Sequence, residues 1–198
     1  MPRKWKSSII LLLAVWLPAS ELAAVDVHSV QQRYARHKDF QASFTQQSFQ
    51  VLVNKEITFN GSLYYKRPDR ARMDVTSPQR QIITLKGSSV TVTLPDEGTQ
   101  AIQEVPREIA SQNILAFIAG LGSIERDYSV QESSDHLVLT PKNGTGAINI
   151  WIDGDNLVRR VALTDAMGNR SDIRLSGYRF DVGLKDDLFN PPTLNARP

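Results

Sequence analysis

Four consecutive residues, Ser133-Ser134-Asp135-His136, bring together the side-chain types of a hydrolytic triad. Neighbours along a hairpin point in different directions, whereas a working triad draws its nucleophile, base and orienting acid from separated segments. The three histidines, His28, His37 and His136, fall in three different segments. The chain has no cysteine nucleophile, no G-x-S-x-G elbow, no P-loop and no G-x-G-x-x-G turn. Asp153-Gly154-Asp155-Asn156 resembles the start of a calcium loop but lacks the later ligands and closing glutamate, so it is expected to be a hairpin turn. The sequence therefore predicts a protein that is not an enzyme and carries neither metal nor cofactor.

A different chemistry is suggested by Lys66, Arg67, Arg70 and Arg72, which stand within seven residues beside Tyr64 and Tyr65. Basic residues interleaved with aromatics suit single-stranded nucleic acid, but an exported chain with no net charge argues against that partner. A solvated hairpin tip is the plain alternative. Arg67 differs from its neighbours because Pro68 restricts it to extended geometry and so directs its guanidinium. A directed arginine is a hydrogen-bond fork for carbonyl, phosphate or carboxylate oxygens.

The elements around this cluster follow from period-2 alternation. Ile57, Phe59, Gly61, Leu63 and Tyr65 alternate with Thr58, Asn60, Ser62 and Tyr64, and Ala71, Met73 and Val75 alternate with Arg72, Asp74 and Thr76. These are two antiparallel strands with one apolar face and one wet face, joined by Lys66–Arg70. A basic pair at the lip of an apolar face suits a ligand with a greasy body and a polar or anionic head. Before this hairpin lie a weak helix over Val27–His37 and a strand from Phe40 to about Val53. Short strands follow from Ile82 to Val105, punctuated by Gly87 and by Pro95–Gly98. Pro106–Gly120 reads as a helix with Ala110, Ile114, Phe117, Ile118 and Leu121 on a broad apolar stripe. Further hairpins run from Tyr128 to Asp181, and the end of the chain, around Leu188–Pro192, is extended. The predicted fold is α+β, mainly β: one strongly curved antiparallel sheet with two or three helices.

Residues 1–24 have the layout of a cleaved secretory signal. Arg3, Lys4 and Lys6 precede a nine-residue apolar run, Ile9–Leu17, too short to span a bilayer, and small residues follow up to Ala24. Residues 25–198 then form a single domain. Three of the 23 basic and one of the 21 acidic residues precede the cut, leaving 20 of each. The pI of 8.9 thus belongs to the precursor. Without cysteine there are no disulfides and no lipidated N-terminal cysteine, so the exported chain is expected to be soluble and held together by its core alone.

The order and spacing of several short motifs resemble the periplasmic outer-membrane lipoprotein carrier (LolA) family. These are Phe40-Gln41-Ala42-Ser43-Phe44-Thr45-Gln46, Gly61-Ser62-Leu63-Tyr64-Tyr65-Lys66-Arg67-Pro68, Thr76-Ser77-Pro78, Leu137-Val138-Leu139-Thr140-Pro141 and Phe189-Asn190-Pro191-Pro192. The resemblance runs from about Val30 to Pro192. It implies an incomplete β-barrel whose apolar cavity is lidded by helices, including the Pro106–Leu121 region. It also implies a monomeric periplasmic carrier that takes lipoprotein acyl chains, or another lipid, from an inner-membrane ABC-type donor complex to an outer-membrane acceptor. Arg67 falls on the family's functional arginine, which latches strand to lid when the cavity is empty. Two departures, no aromatic dipeptide in Ser88–Val92 and a short tail at Asn195–Pro198, fit a LolA-like paralogue as well as the housekeeping carrier.

On the carrier reading the cavity is lined by Phe44, Phe59, Leu63, Tyr65, Met73, Ile83, Phe117, Ile118 and Ile150. The competing reading packs the same residues as solid core. A periplasmic sensor or regulatory protein on the same half-barrel is the alternative function.

Overall fold

The computed structural model describes residues 26–104, 117–118, 121, 124–133, 135–143, 146–165 and 167–194. Helix α1 (Val27–Ala35) begins at Asp26, whose carboxylate accepts the His28 and Ser29 amides at 3.0 and 3.1 Å. Its buried residues, Val27, Val30 and Tyr34, lie at i, i+3 and i+7 and form one apolar stripe.

Six strands follow: β1 (Asp39–Gln50), β2 (Lys55–Lys66), β3 (Arg70–Ser77), β4 (Gln81–Lys86), β5 (Ser89–Leu94) and β6 (Thr99–Glu104). After the short helix α2 (Ile124–Asp127) come β7 (Tyr128–Glu132), β8 (Leu137–Pro141), β9 (Ala147–Ile152), β10 (Val158–Thr164) and β11 (Arg170–Phe180). A 3₁₀ turn, Asp186–Phe189, lies near the end.

All eleven strands join one antiparallel sheet in the order β6-β5-β4-β3-β2-β1-β11-β10-β9-β8-β7. Each strand neighbours its successor except β6, and one further pairing joins strands distant in sequence. β1 pairs with β11, closing the two ends of the chain together, while β6 and β7, consecutive in sequence, form the two free edges. The sheet is therefore an unclosed barrel, and residues 105–127 connect its two edges. The expected helix Pro106–Gly120 lies outside the described residues apart from Phe117 and Ile118, which are helical and buried.

Two local devices give the sheet its curvature. In β11, Gly177 (φ +63°) supplies an extra residue opposite Ala42, and the register slips between Gln41 and Ser43. This bulge puts Ile173 and Leu175 on the same face as Tyr178 and Phe180 despite their opposite parity. In β2, a Cβ on Gly61 would lie 2.0 Å from the Asp74 carbonyl oxygen and 2.9 Å from the Phe44 ring. Only glycine permits that approach, and Phe44, directly cross-strand, covers the gap.

The expected strand from Phe40 ends at Gln50 rather than near Val53. Asn54, at φ +47°, closes the turn by donating its amide to the Val51 carbonyl at 3.2 Å.

Candidate functional site

The alternation in β2 and β3 assigns each residue to a face. Leu63, Tyr65, Ala71, Met73 and Val75 point into the concave side, with Phe40 and Phe44 of β1 and Leu85 and Val90 beyond them. Ile148 and Ile150 of β9, Leu137 and Leu139 of β8, and Ile173 and Leu175 of β11 complete the other wall. Two segments outside the sheet cover this face. One is α1, through Val27, Val30 and Tyr34; the other is the edge-to-edge connection, through Phe117, Ile118, Leu121 and Ile124. Phe117 packs edge-on to Tyr128 at 6.2 Å between ring centres.

Seven of the nine residues expected to line the cavity belong to this one cluster, and the other two pack against it. Phe44, Leu63, Tyr65, Met73, Phe117, Ile118 and Ile150 are buried, while Phe59 and Ile83 are partly exposed at its margin.

Among the described residues, few polar bonds hold α1 to the sheet. The buried Tyr34 hydroxyl accepts the Val158 amide at 3.0 Å and donates to the Tyr178 hydroxyl at 3.2 Å, and Tyr178 donates to the Val158 carbonyl at 2.7 Å. Burial of the phenol pushes the Tyr34 pKa up to about 12, and burial raises Tyr178 well above the ordinary tyrosine value. At the other end of α1, Arg67 Nη1 donates to the carbonyl oxygen of Ala35, the helix's last residue. A cation there suits the negative end of the helix dipole. The Arg67 amide donates to the Lys38 carbonyl at 2.9 Å. Arg67 thus holds both sides of the α1–β1 junction, one through its side chain and the other through its backbone. Asp181 binds the same junction by accepting the Lys38 amide at 2.8 Å and meeting His37 Nδ1 at 2.7 Å.

The neighbouring cations have a different destination from the ligand head suggested by sequence. Lys66, Arg70 and Arg72 share the parity of the outer face, opposite Tyr65, Ala71 and Met73. There the C-terminal segment runs back over β3 and β4 as a strap. Lys66 Nζ donates to the Leu184 carbonyl and meets Asp186 at 2.6 Å, and Arg70 meets Asp186 at 2.7 Å. Arg72 pairs with Asp74 at 2.6 Å and donates to the Leu188 carbonyl at 2.7 Å. Hydrogen bonds from Lys66 and Arg70 hold the Asp186 carboxyl down to about 2. Phe189 is buried beneath the strap, and Ile82, Thr84, Thr91 and Thr93 are buried on the same outer face. A pocket of about 240 Å³ at this seam, lined by Arg70, Lys86, Asp186, Phe189 and Asn190, belongs to the strap and not to the concave face.

The remaining candidates resolve as structural features. Asp153 accepts the Asp155 and Leu157 amides, both at 3.0 Å, as the expected hairpin turn requires. Asp135 and His136 do meet, at 2.7 Å, against the expectation that hairpin neighbours diverge. The same carboxylate accepts Trp151 Nε1 at 3.2 Å, and His136 stacks on that indole at 4.9 Å, which turns both residues toward one surface aromatic.

The family model described as "Outer membrane lipoprotein carrier protein LolA" matches residues 35–192. The chain belongs to the LolA family. An outer-membrane lipoprotein carrier protein of Methylibium petroleiphilum is 28% identical over 193 residues, covering 90% of this chain and 94% of that protein. One of Klebsiella pneumoniae is 24% identical over 192 residues, covering 94% of each. A DUF1329 family protein of Desulfovibrio piger, solved as a crystal structure, shares the fold: its TM-score is 0.52 at 15% identity, covering 85% of this chain and 98% of that one.

In this LolA-family chain several organising residues carried no sequence signal. Asp39 is buried and accepts the Val182 and Leu184 amides at 2.8 and 3.0 Å, which starts the strap. Tyr34, Tyr178 and Asp186 likewise act across more than a hundred residues or on a segment with no periodicity. A charged residue inside an otherwise apolar strand start, as at Asp39-Phe40, is the one cue that invited a search for a buried partner.

Proposed function

We infer that this protein is a non-enzymatic carrier that binds the acyl chains of lipoproteins, or a related lipid, on the concave face of its half-barrel. The observation that carries this reading is the construction of that face. A continuous aliphatic and aromatic wall is covered by two segments outside the sheet, and α1 is fastened to it by few polar bonds. The names of the relatives, outer-membrane lipoprotein carriers, point the same way. On this reading the leader of residues 1–24 is removed, and residues 25–198 work as a monomer in the periplasm. They collect cargo from an inner-membrane ABC-type complex and surrender it to an outer-membrane acceptor.

Each methylene withdrawn from water stabilises the complex by about 0.8 kcal/mol. A few acyl chains would then bind too tightly to leave, so the empty, covered state must compete with cargo. Two interactions supply that competition: the apolar cover of α1 and the connection, and the Arg67–Ala35 bond. A charge-assisted bond contributes roughly 1.5–3 kcal/mol, and solvent exposure of Arg67 reduces this to about 1 kcal/mol. That size biases an opening equilibrium severalfold without locking it. The Arg67 amide bond to Lys38 stays in place while the side-chain bond to α1 breaks, so Arg67 acts as a latch across a hinge.

Arg67→Leu is therefore expected to load normally and to release cargo several times more slowly to an acceptor. Transfer of a radiolabelled lipoprotein from variant and parent protein to acceptor-bearing membranes measures this. Unchanged transfer would remove Arg67 from the mechanism.

A further inference from the structure

We propose that the apolar end of the half-barrel formed by Val51, Leu52, Val53 and Met167 docks on the surface of a phospholipid bilayer, an inference that rests on the carrier reading above. Val51, Leu52 and Val53 occupy the tip of the β1–β2 hairpin with 45, 82 and 62% of their surface exposed, and Met167 in the β10–β11 turn is 62% exposed. Hairpin tips are ordinarily polar, because their side chains stand in water. Three consecutive aliphatic residues at a tip are therefore anomalous unless something apolar meets them.

The two tips form one built surface. The Val51 amide donates to Asn169 Oδ1 at 3.0 Å, and Gly168 lies against the Val51 side chain. The β10–β11 turn is itself held by Asp165, whose carboxylate accepts the Met167 and Asn169 amides and the Asn169 side chain at 2.8–2.9 Å. That carboxylate is thereby engaged, while Glu56 remains exposed beside the tip. Behind the apolar residues stand two exposed cations, Lys55 and Arg170, the latter fixed 4.8 Å from the centre of the Phe49 ring.

Aliphatic side chains in front and cations one residue layer behind match a bilayer's own order, acyl chains beneath a layer of phosphates. The position fits the cargo as well. The tip-side ends of β2 and β10 carry Phe59 and Leu163, partly buried residues packed against the concave core. The tip lies at the opposite end of β2 from Arg67, so docking and latching occupy separate ends of the molecule.

The test uses the protein recovered, processed, from a cell envelope, with vesicles of phosphatidylethanolamine and phosphatidylglycerol as probe. Leu52→Glu combined with Val53→Ser should lower partition into vesicles about tenfold or more, with an unchanged circular dichroism spectrum. Binding of a fluorescent fatty acid should remain at the parent level. Equal partition of parent and variant, or no partition of the parent, would overturn the proposal. So would a parent dimer in solution that the substitutions dissociate, or photocrosslinking from position 52 that captures a protein and no lipid. Loss of fatty-acid binding by the parent itself would instead refute the carrier reading, while vesicle failure with intact fatty-acid binding refutes the docking surface alone.

Discussion

The two faces of β2, β3 and β4 are covered in opposite ways. On the concave side, α1 and the residues Phe117, Ile118, Leu121 and Ile124 lie on an apolar wall, and α1 is fastened by the Tyr34 network, by Arg67 and, at its junction with β1, by Asp181. On the outer side, a strap of irregular chain is fastened by Asp39, Lys66, Arg70 and Arg72 at nearly every second residue between Val182 and Leu188. Apolar contact is non-directional and is exchanged for other apolar contact at little cost. Directional polar bonds, once broken inside a fold, leave groups unsatisfied. If the protein is a carrier, the concave cover is the one suited to leave, because acyl chains can substitute for its apolar contacts, whereas the strap is held by directional bonds that apolar cargo cannot replace.

Phe189→Ala should break the outer cover most severely. It empties a fully buried aromatic site and is expected to cost about 3–5 kcal/mol, read as a lowered urea midpoint. Where the variant remains folded, acyl binding should persist, because Phe189 does not face the concave wall. Lost acyl binding in the folded variant would erase the distinction between the two faces.

Tyr34→Phe attacks the concave cover at its polar anchor. The Val158 amide loses its acceptor, so stability should fall by about 1–3 kcal/mol. The same change loosens α1, so uptake of a fluorescent fatty acid should accelerate in stopped flow. Destabilisation without faster uptake would mean that α1 does not gate the face.

The sheet was legible from Ile57 to Val75 because each residue's face follows from its parity, and the structure keeps that parity. Hairpin partners were legible for the same reason. The β1–β11 pairing was not, since it joins residues such as Phe40 and Phe180 across the whole chain, and Gly177 shifts the parity midway. The basic cluster misled for a related reason. Alternation placed Arg72 on the wet face but left Lys66 and Arg70 in the turn, and the strap that meets all three is extended chain without a periodic pattern. The family resemblance supplied what alternation lacked, namely that the apolar face belongs to a half-barrel, while Pro68 had already set Arg67 apart from its neighbours.

The smallest effect separates the faces by pH. The Asp186 carboxyl is held at about 2 in the fold against 3.8 ordinarily. A lowered acid contributes stability above its unfolded value and loses it as pH falls toward the folded one. Strap amides should therefore exchange faster with deuterium between about pH 4 and 2, more so at low salt where the exposed pairs are strongest. The Tyr34 network ionises at the other extreme, since a raised phenol stabilises the fold below pH 10 and ceases to as pH rises through about 12. Over the acid range, amides around Tyr34 and Val158 should keep their protection while those of the strap lose it. The first turn of α1 and its junction with β1 lie outside this contrast, because the Asp26 and Asp181 carboxyls there are also lowered by their hydrogen bonds. Equal loss in both would remove the contrast.

Native mass spectrometry of the protein released gently from its own cell envelope decides whether the concave face holds lipid. A fraction of molecules should carry a lipoprotein or lipid, and that mass should be lost when Phe59, on the concave margin, is replaced by Asp in an otherwise folded chain. A protein that emerges uniformly bare, with the same spectrum for Phe59→Asp and parent, would contradict the carrier reading.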